Sequence, residues 1–136
     1  MVFLDTADED DALGYHDLTK DGLPLAKVFV KTTQDNGELV SVTACHELAE
    51  MLVDPSINLW SEATRRTLYA YETADAVEEE TFLIDGIPMS DFVYPAWFEA
   101  FRKPRSTQFD YLDLVSRPFQ MSSVPTSAKV PIFFPR

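Results

Sequence analysis

Apolar and polar side chains separate most clearly in residues 41–53. When this segment is wound as a helix at about 100° per residue, its histidine and acidic side chains fall on one narrow stripe. The stripe contains Thr43, His46, Glu47, Glu50 and Asp54. Nearly all of the remaining circumference is apolar, and a helix that is apolar over most of its girth is usually buried. We therefore expect a buried helix at the centre of the fold.

The ends of this helix are also marked in the sequence. Pro55 ends it, because the residue before a proline disfavours helical backbone. Ser41 or Thr43 is expected to cap its start through a side-chain hydroxyl. Cys45 lies on the apolar side, about 260° around the helix from His46. There it is expected to pack in the core rather than to react, since no basic neighbour would lower its pKa.

Several shorter segments have the composition of β-strands. Such strands are predicted at residues 2–4, 25–33 and 67–73. Two further strands, at residues 81–84 and 87–89, flank Asp85 and Gly86, a pair that is typical of a β-hairpin turn.

The other segments are less regular. Residues 58–66 predict a loop with a helical turn, 109–115 a short helix or strand, and 129–134 a closing strand. The aromatic segment 92–101 is expected in the core, with a substrate groove or a partner patch as the alternative. Together the elements indicate an α+β domain in which one central buried helix packs on a short mixed or antiparallel sheet.

Length and charge narrow the picture further. The 136 residues fit a single domain, residues 1–136, in which the Pro- and Ser-rich residues 117–136 form a C-terminal extension. The net charge of -12 repels nucleic acid and anionic membranes, so neither is expected as a partner. The single cysteine excludes an internal disulfide and indicates a reducing compartment. Because no signal peptide or membrane-spanning run is visible, we expect a soluble, cytoplasmic protein, unless other machinery exports it or a particle carries it.

The stripe on the helix has the chemistry of a metal site. Carboxylates on a buried surface repel each other unless a cation or shared protons compensate them. His46 and Glu50 are four residues apart, so both side chains leave the same face and can reach one ion. Glu47 is angled beside them, where it can hold a water, as the middle glutamate does in the zinc-binding pattern His-Glu-x-x-His. Taken alone, His46 is more readily explained as a core histidine with satisfied hydrogen bonds.

A second acidic pair, Glu72 and Asp75, begins 22 residues after Glu50, at the end of a predicted strand. In several zinc hydrolases a third ligand arrives at about this distance, and a nearby aspartate orients a ligand histidine. We predict that His46, Glu50 and Glu72 bind one divalent ion. Asp75 is expected beside them, as a further ligand or as the partner of His46. The alternative for Glu72 and Asp75 is an ordinary exposed turn.

The chain also resembles a group of mostly uncharacterised bacterial and phage proteins that are regarded as zincin-like, that is, related to metallopeptidases. The pattern that carries the resemblance is His46-Glu47-x-x-Glu50, Asp54-Pro55, Asn58-x-Trp60 and Glu72-x-x-Asp75, with Cys45 where serine is commoner. Segments 14–17 and 91–98 also resemble the phage branch, so the likeness covers about residues 3–100. It implies a small zincin-like domain and, for a phage protein, a place in the host cytoplasm or the virion.

The donor set bears on which ion is bound. One histidine with two carboxylates is a chemically harder set of ligands than the usual two-histidine zinc site. Zinc is the first expectation, but manganese, iron and calcium are therefore alternatives. The acidic residues 7–12 are expected to form a solvated loop, with a calcium loop as a minor alternative because the EF-hand spacing is missing. His16 is expected to be a loop residue without a special role. Its functional alternative is a substrate-facing group or a fourth ligand.

Two functions are compatible with these features. The first is a metal-dependent hydrolase that cleaves peptide bonds in a peptide or protein substrate, with Glu47 taking the proton from a metal-activated water. The second is a non-catalytic, phage-encoded structural or interaction protein that retains a structural or vestigial metal and binds a protein partner. The intact Glu47 favours the first function, whereas the short chain leaves little room for a zincin's second lobe and favours the second.

Overall fold

A computed structural model describes residues 1–10 and 12–122 of the chain. The described part is a mixed α+β fold with one long helix and three small sheets. In chain order its strands and α-helices are β1 (Val2–Leu4), β2 (Gly14–Leu18), β3 (Pro24–Phe29), α1 (Val30–Asp35), α2 (Val40–Val53), β4 (Trp60–Thr64), β5 (Thr67–Ala70), β6 (Thr81–Ile84) and β7 (Ile87–Ser90). Short 3-10 helices lie at Asp75–Val77 and Pro95–Phe98.

The largest sheet has three strands in the order β1-β3-β2. Strand β3 pairs in parallel with β1 and antiparallel with β2, where His16 lies opposite Ala26. Helix α2 packs against β2 and β3 of this sheet and against β7 of the 81–90 hairpin. The expected α+β class, with a helix on a short mixed sheet, is therefore confirmed.

The orientation of α2 differs from the expectation. Its buried residues are polar: Thr43, Glu47 and Glu50. Leu48, Leu52 and Val53 are exposed, Leu52 to 69%. The expectation that the apolar arc would be buried is thus wrong in part. Because α2 is covered mainly by the sheet on one side and a hairpin strand, only part of its circumference is enclosed, and that part includes the polar stripe.

The ends of α2 are held by different groups from those expected. No side chain caps its start, where Leu39 is the N-cap residue. The Ser41 hydroxyl instead donates a hydrogen bond to the Pro88 carbonyl at 2.7 Å, which ties α2 to β7. At the other end, the Asp54 carboxylate accepts hydrogen bonds from the backbone N–H groups of Asn58 and Leu59.

Ala26, Val28 and Phe29 are buried in β3, which packs on α2, and a separate cluster of buried apolar residues follows β5. This cluster consists of Ala76, Val77, Val93, Trp97, Phe98, Phe109 and Val115. The aromatic segment therefore contributes Trp97 and Phe98 to the core, as expected, whereas Phe101 is 77% exposed. Phe119 and Met121 pack against this core, so the first residues of the predicted C-terminal extension belong to the packed fold. Residues 123–136, with the predicted closing strand 129–134, lie outside the described residues.

Three predicted elements have different outcomes. The strand predicted over residues 25–33 ends at Phe29, where α1 begins. The predicted loop 58–66 is wrong, because this segment forms β4 and pairs antiparallel with β5. Residues 109–115 form no helix or strand and make only an isolated bridge between Val93 and Asp110.

The 81–90 hairpin is confirmed, and its turn residues Asp85 and Gly86 both have positive φ angles, as a type I′ turn requires. In the acidic loop, Asp8 forms an ion pair with Lys27 at 2.6 Å, which does not favour a calcium loop there. No helix among the described residues is long and apolar enough to cross a membrane.

Candidate metal centre

Three elements deliver the histidines and carboxylates to one place. Helix α2 supplies His46, Glu47 and Glu50, and β2 supplies His16. Alternate residues of a strand share a face, so Gly14 and His16 lie on the same side of β2. Glu72 and Asp75 follow β5, and Asp75 starts a 3-10 helix.

Gly14 permits the close approach of β2 to α2. A Cβ at this position would lie 2.9 Å from Glu47 Cγ and 3.0 Å from Glu47 Oε1. It would also lie 2.8 Å from the backbone oxygen of Lys27. Any side chain larger than hydrogen would push β2 and the Glu47 side chain apart, because these distances are shorter than van der Waals contacts.

The first group of potential metal donors contains His16, Glu47 and Glu50. His16 Nδ1 lies 3.3 Å from Glu50 Oε2 and 3.9 Å from Glu47 Oε2. Its other nitrogen, Nε2, lies 3.5 Å from Glu72 Oε2. The side chains of all three residues in the group are at most 8% exposed, so the group is deeply enclosed.

The second group contains His46, Glu50 and Asp75. His46 Nε2 lies 3.3 Å from Glu50 Oε1 and 3.2 Å from Asp75 Oδ1. Glu50 Oε1 also accepts a hydrogen bond from the backbone N–H of Ala74 at 3.2 Å. The Asp75 side chain is 43% exposed, so this group reaches the protein surface.

The charges of the cluster shift several pKa values. Burial lowers the pKa of His16, but the Glu50 hydrogen bond and the charges of Glu72, Glu50 and Glu47 outweigh it and raise this pKa to about 9. His46 is affected in the same direction: burial opposes its charge, yet Glu50 and Asp75 hold its pKa well above the usual value.

The carboxylates respond to the same neighbours. Burial opposes the charge of Glu50, but His46 and His16 lower its pKa below the ordinary value. Burial and the negative charge of Glu50 raise the pKa of Glu72 to about 8. The cluster is therefore one in which positive charge is required to keep the carboxylates ionised.

The donor distances suit a metal ion. Hydrogen bonds between charged nitrogen and oxygen groups are about 2.7–2.9 Å long. Two donors bound to one tetrahedral ion at about 2.1 Å lie about 3.4 Å apart. The contacts of His16 and His46 with Glu50, both 3.3 Å, are closer to the second value. These contacts are longer than strong charged hydrogen bonds and are compatible with two ligands of one ion.

The predicted ligands are distributed over both groups. His46, Glu50 and Asp75 form one of them, whereas Glu72 belongs to neither and lies against His16. Glu47 is 6% exposed and packs over Gly14. Such a position differs from the open cleft that a general base for a bound substrate requires.

The favoured expectation for His16, a loop residue without a special role, is wrong: it lies in β2, and its side chain is only 7% exposed. Its position beside Glu47 and Glu50 agrees with the alternative of a further ligand. No local pattern around Gly14-Tyr15-His16-Asp17 places this histidine beside α2, because its position depends on the pairing of β2 with β3. Cys45 has a structural environment: its thiol lies 3.8 Å from the Ser90 carbonyl oxygen, and burial raises its pKa.

A cavity of about 390 Å³ lies elsewhere and is lined by residues of the segment 105–116, none of which belongs to the donor groups. Comparison with known proteins finds no relative: no family model matches the chain, and no curated protein or solved structure is significantly similar to it.

Proposed function

We propose that this protein binds divalent metal at the His/carboxylate cluster and that the metal joins α2 to β2 and to the turn after β5. The observation that carries this proposal is the convergence of donors from three separate elements on one buried carboxylate, Glu50. Such a cross-link between distant segments stabilises the folded chain only, because the unfolded chain does not hold these donors together.

The electrostatics support a cation at this position. Glu47 and Glu50 are buried, and buried carboxylates are costly unless they are paired or bound to metal. Each donor group offers one nitrogen and two carboxylate oxygens. This mixed set suits zinc, manganese or iron better than calcium, which prefers oxygen ligands alone. The resemblance of the helix pattern to zincin-like proteins supports the same role for α2.

A hydrolase is the second candidate function, and the exposure of the cluster's edge favours it. The Asp75 and Glu72 side chains are 43% and 28% exposed, so water and a substrate can reach this side. Three protein ligands leave a coordination position for water, as in catalytic zinc sites. In this arrangement the accessible Glu72 is the base, and the buried Glu47 is a ligand. Peptide bonds are the substrate class that the zincin-like resemblance implies.

Metal analysis of the purified protein tests the main proposal. We expect zinc, manganese or iron in the wild type and in the Glu38→Gln control, which alters an exposed glutamate, and little metal in Glu50→Gln. Chelation should lower the melting temperature of the wild type, and adding the ion back should restore it. A protein that binds none of these ions and melts at the same temperature with and without chelator contradicts the proposal.

The hydrolase candidate needs a separate assay. With a mixed peptide library as substrate, Glu72→Gln should retain the metal and lose cleavage, while Glu79→Gln, at an exposed position, should retain both. If the metal-loaded wild type cleaves no peptide, peptide hydrolysis is ruled out, and the metal-binding function still stands.

A further inference from the structure

We propose that the cluster is a dinuclear centre, in which two divalent ions are bridged by the Glu50 carboxylate. This inference rests on the proposed metal-binding function and adds to it the number of ions and their arrangement. One ion is held by His16, Glu47 and Glu50, and the other by His46, Glu50 and Asp75.

The two oxygens of Glu50 face different histidines. Oε2 lies 3.3 Å from His16 Nδ1, and Oε1 lies 3.3 Å from His46 Nε2. Among the described residues, each set of donor atoms lying within 4.8 Å of one another contains one histidine only. A single ion would therefore leave one histidine outside its donor group, whereas two ions use both.

The donor inventory is similar to that of known dinuclear centres. Two histidines and three carboxylates belong to the two donor groups, and a fourth carboxylate, Glu72, lies beside His16. The carboxylate-bridged di-iron and di-manganese centres in helix bundles use two histidines and four carboxylates as ligands. The present cluster arises on a different scaffold, from one helix, one strand and one turn, so the agreement concerns the chemistry alone.

The environment of His16 supplies an independent observation. Its Nε2 is buried and has no hydrogen-bond partner among the described residues, although Glu72 Oε2 lies 3.5 Å away. A histidine that binds metal through Nδ1 presents its Nε2–H to a carboxylate, which fixes the orientation of the ring. Glu72 stands where that carboxylate is needed, and a small movement on metal binding completes the hydrogen bond.

Manganese binding to the metal-free protein tests this proposal. Equilibrium dialysis should give two Mn²⁺ per chain. Carboxylate-bridged ions in such centres lie about 3.5–4 Å apart, so the electron paramagnetic resonance spectrum should show two spin-coupled ions. One ion per chain, or two ions without spin coupling, would overturn the dinuclear centre and leave the metal-binding function intact. Absence of Mn²⁺ binding would also overturn the dinuclear manganese centre, and the metal analysis for zinc and iron then decides separately whether the protein binds metal.

Single substitutions separate the two groups. His16→Ala and Asp75→Asn should each reduce the stoichiometry from two to one and abolish the spin coupling. The Glu38→Gln control should keep both ions and the coupled spectrum. Two coupled ions in both His16→Ala and Asp75→Asn would contradict the assignment of donors. Circular dichroism identifies any variant that does not fold. If a variant is unfolded, the dialysis and the electron paramagnetic resonance spectrum of the wild type alone decide the number of ions.

Discussion

Glu47 packs directly over the backbone of Gly14, at a distance that leaves no space for a Cβ atom. Glycine is therefore a condition for the contact between β2 and α2 and, through it, for the position of His16 next to Glu50. This contact explains why a residue without a side chain stands two positions before the buried histidine.

Gly14→Ala should lower the free energy of unfolding by about 1–3 kcal/mol, as overpacked sites commonly do. It should also weaken metal binding, because it displaces Glu47 and the strand that carries His16. Chemical denaturation and metal titration measure the two effects. Combining it with Glu47→Ala should recover only part of the stability, since the Lys27 carbonyl oxygen also blocks the new Cβ. An additive double variant would show that the two sites are not in contact.

Asp54 gives a prediction that separates stability from metal binding. Although it follows the stripe of His46, Glu47 and Glu50 along the chain, its two oxygens accept backbone hydrogen bonds from Asn58 and Leu59 at the end of α2. Asp54→Ala should therefore reduce the free energy of unfolding by about 1–3 kcal/mol and leave the metal content unchanged. Asp75→Asn serves as the comparison, and we expect it to bind less metal than the wild type. Loss of metal in folded Asp54→Ala would assign Asp54 to the metal site instead.

A buried carboxylate pair, Asp91 and Asp110, predicts a pH dependence of stability. Burial and the neighbouring Asp110 raise the pKa of Asp91 from 3.8 to about 6. The folded state then binds more protons than the unfolded state between about pH 4 and 6, so this pair's contribution to stability falls as pH rises through that window. Above that pH window, burial of the ionised Asp91 carboxylate next to Asp110 costs stability.

Asp91→Asn should remove this cost, because the amide can donate to Asp110 without a titrating proton. We expect this variant to be more stable than the wild type at pH 7 and about equally stable at pH 4, measured by urea denaturation. Asp110→Asn is the contrasting variant. Both Asp110 oxygens accept backbone hydrogen bonds, from Leu114 and Val115, so this change should destabilise the fold. A wild type more stable than Asp91→Asn at pH 7 would argue against a raised pKa.

Trp97 links the core to residues beyond 117. It is 2% exposed, and its Nε1 donates a hydrogen bond to the Gln120 carbonyl at 2.8 Å. Trp97→Ala should lower the free energy of unfolding by about 3–5 kcal/mol and speed proteolytic cleavage after residue 116. Trp60, which is 58% exposed, is the matched control, and Trp60→Ala should change stability by less than about 1 kcal/mol. Equal effects of the two substitutions would contradict the assigned core.

Local features of the chain were sufficient to predict several elements. The bounds of α2 follow from the periodicity of residues 41–53 and from Pro55, and the 81–90 hairpin follows from Asp85 and Gly86. The juxtaposition of His46 with Glu50 also follows from helix geometry, since four residues make about one turn. These properties depend on neighbours within a few residues, which is why the sequence determined them by itself.

The tertiary structure decided which way the helix faces and which residues complete the donor groups. A helical wheel places side chains relative to one another, but packing selects the buried arc, and here that arc includes Glu47 and Glu50. His16 reaches Glu50 from a strand that precedes it by more than 30 residues, and its position depends on the pairing of β2 with β3. Strand pairing and the packing of a helix on a sheet are long-range contacts, and no local pattern in the sequence specifies them.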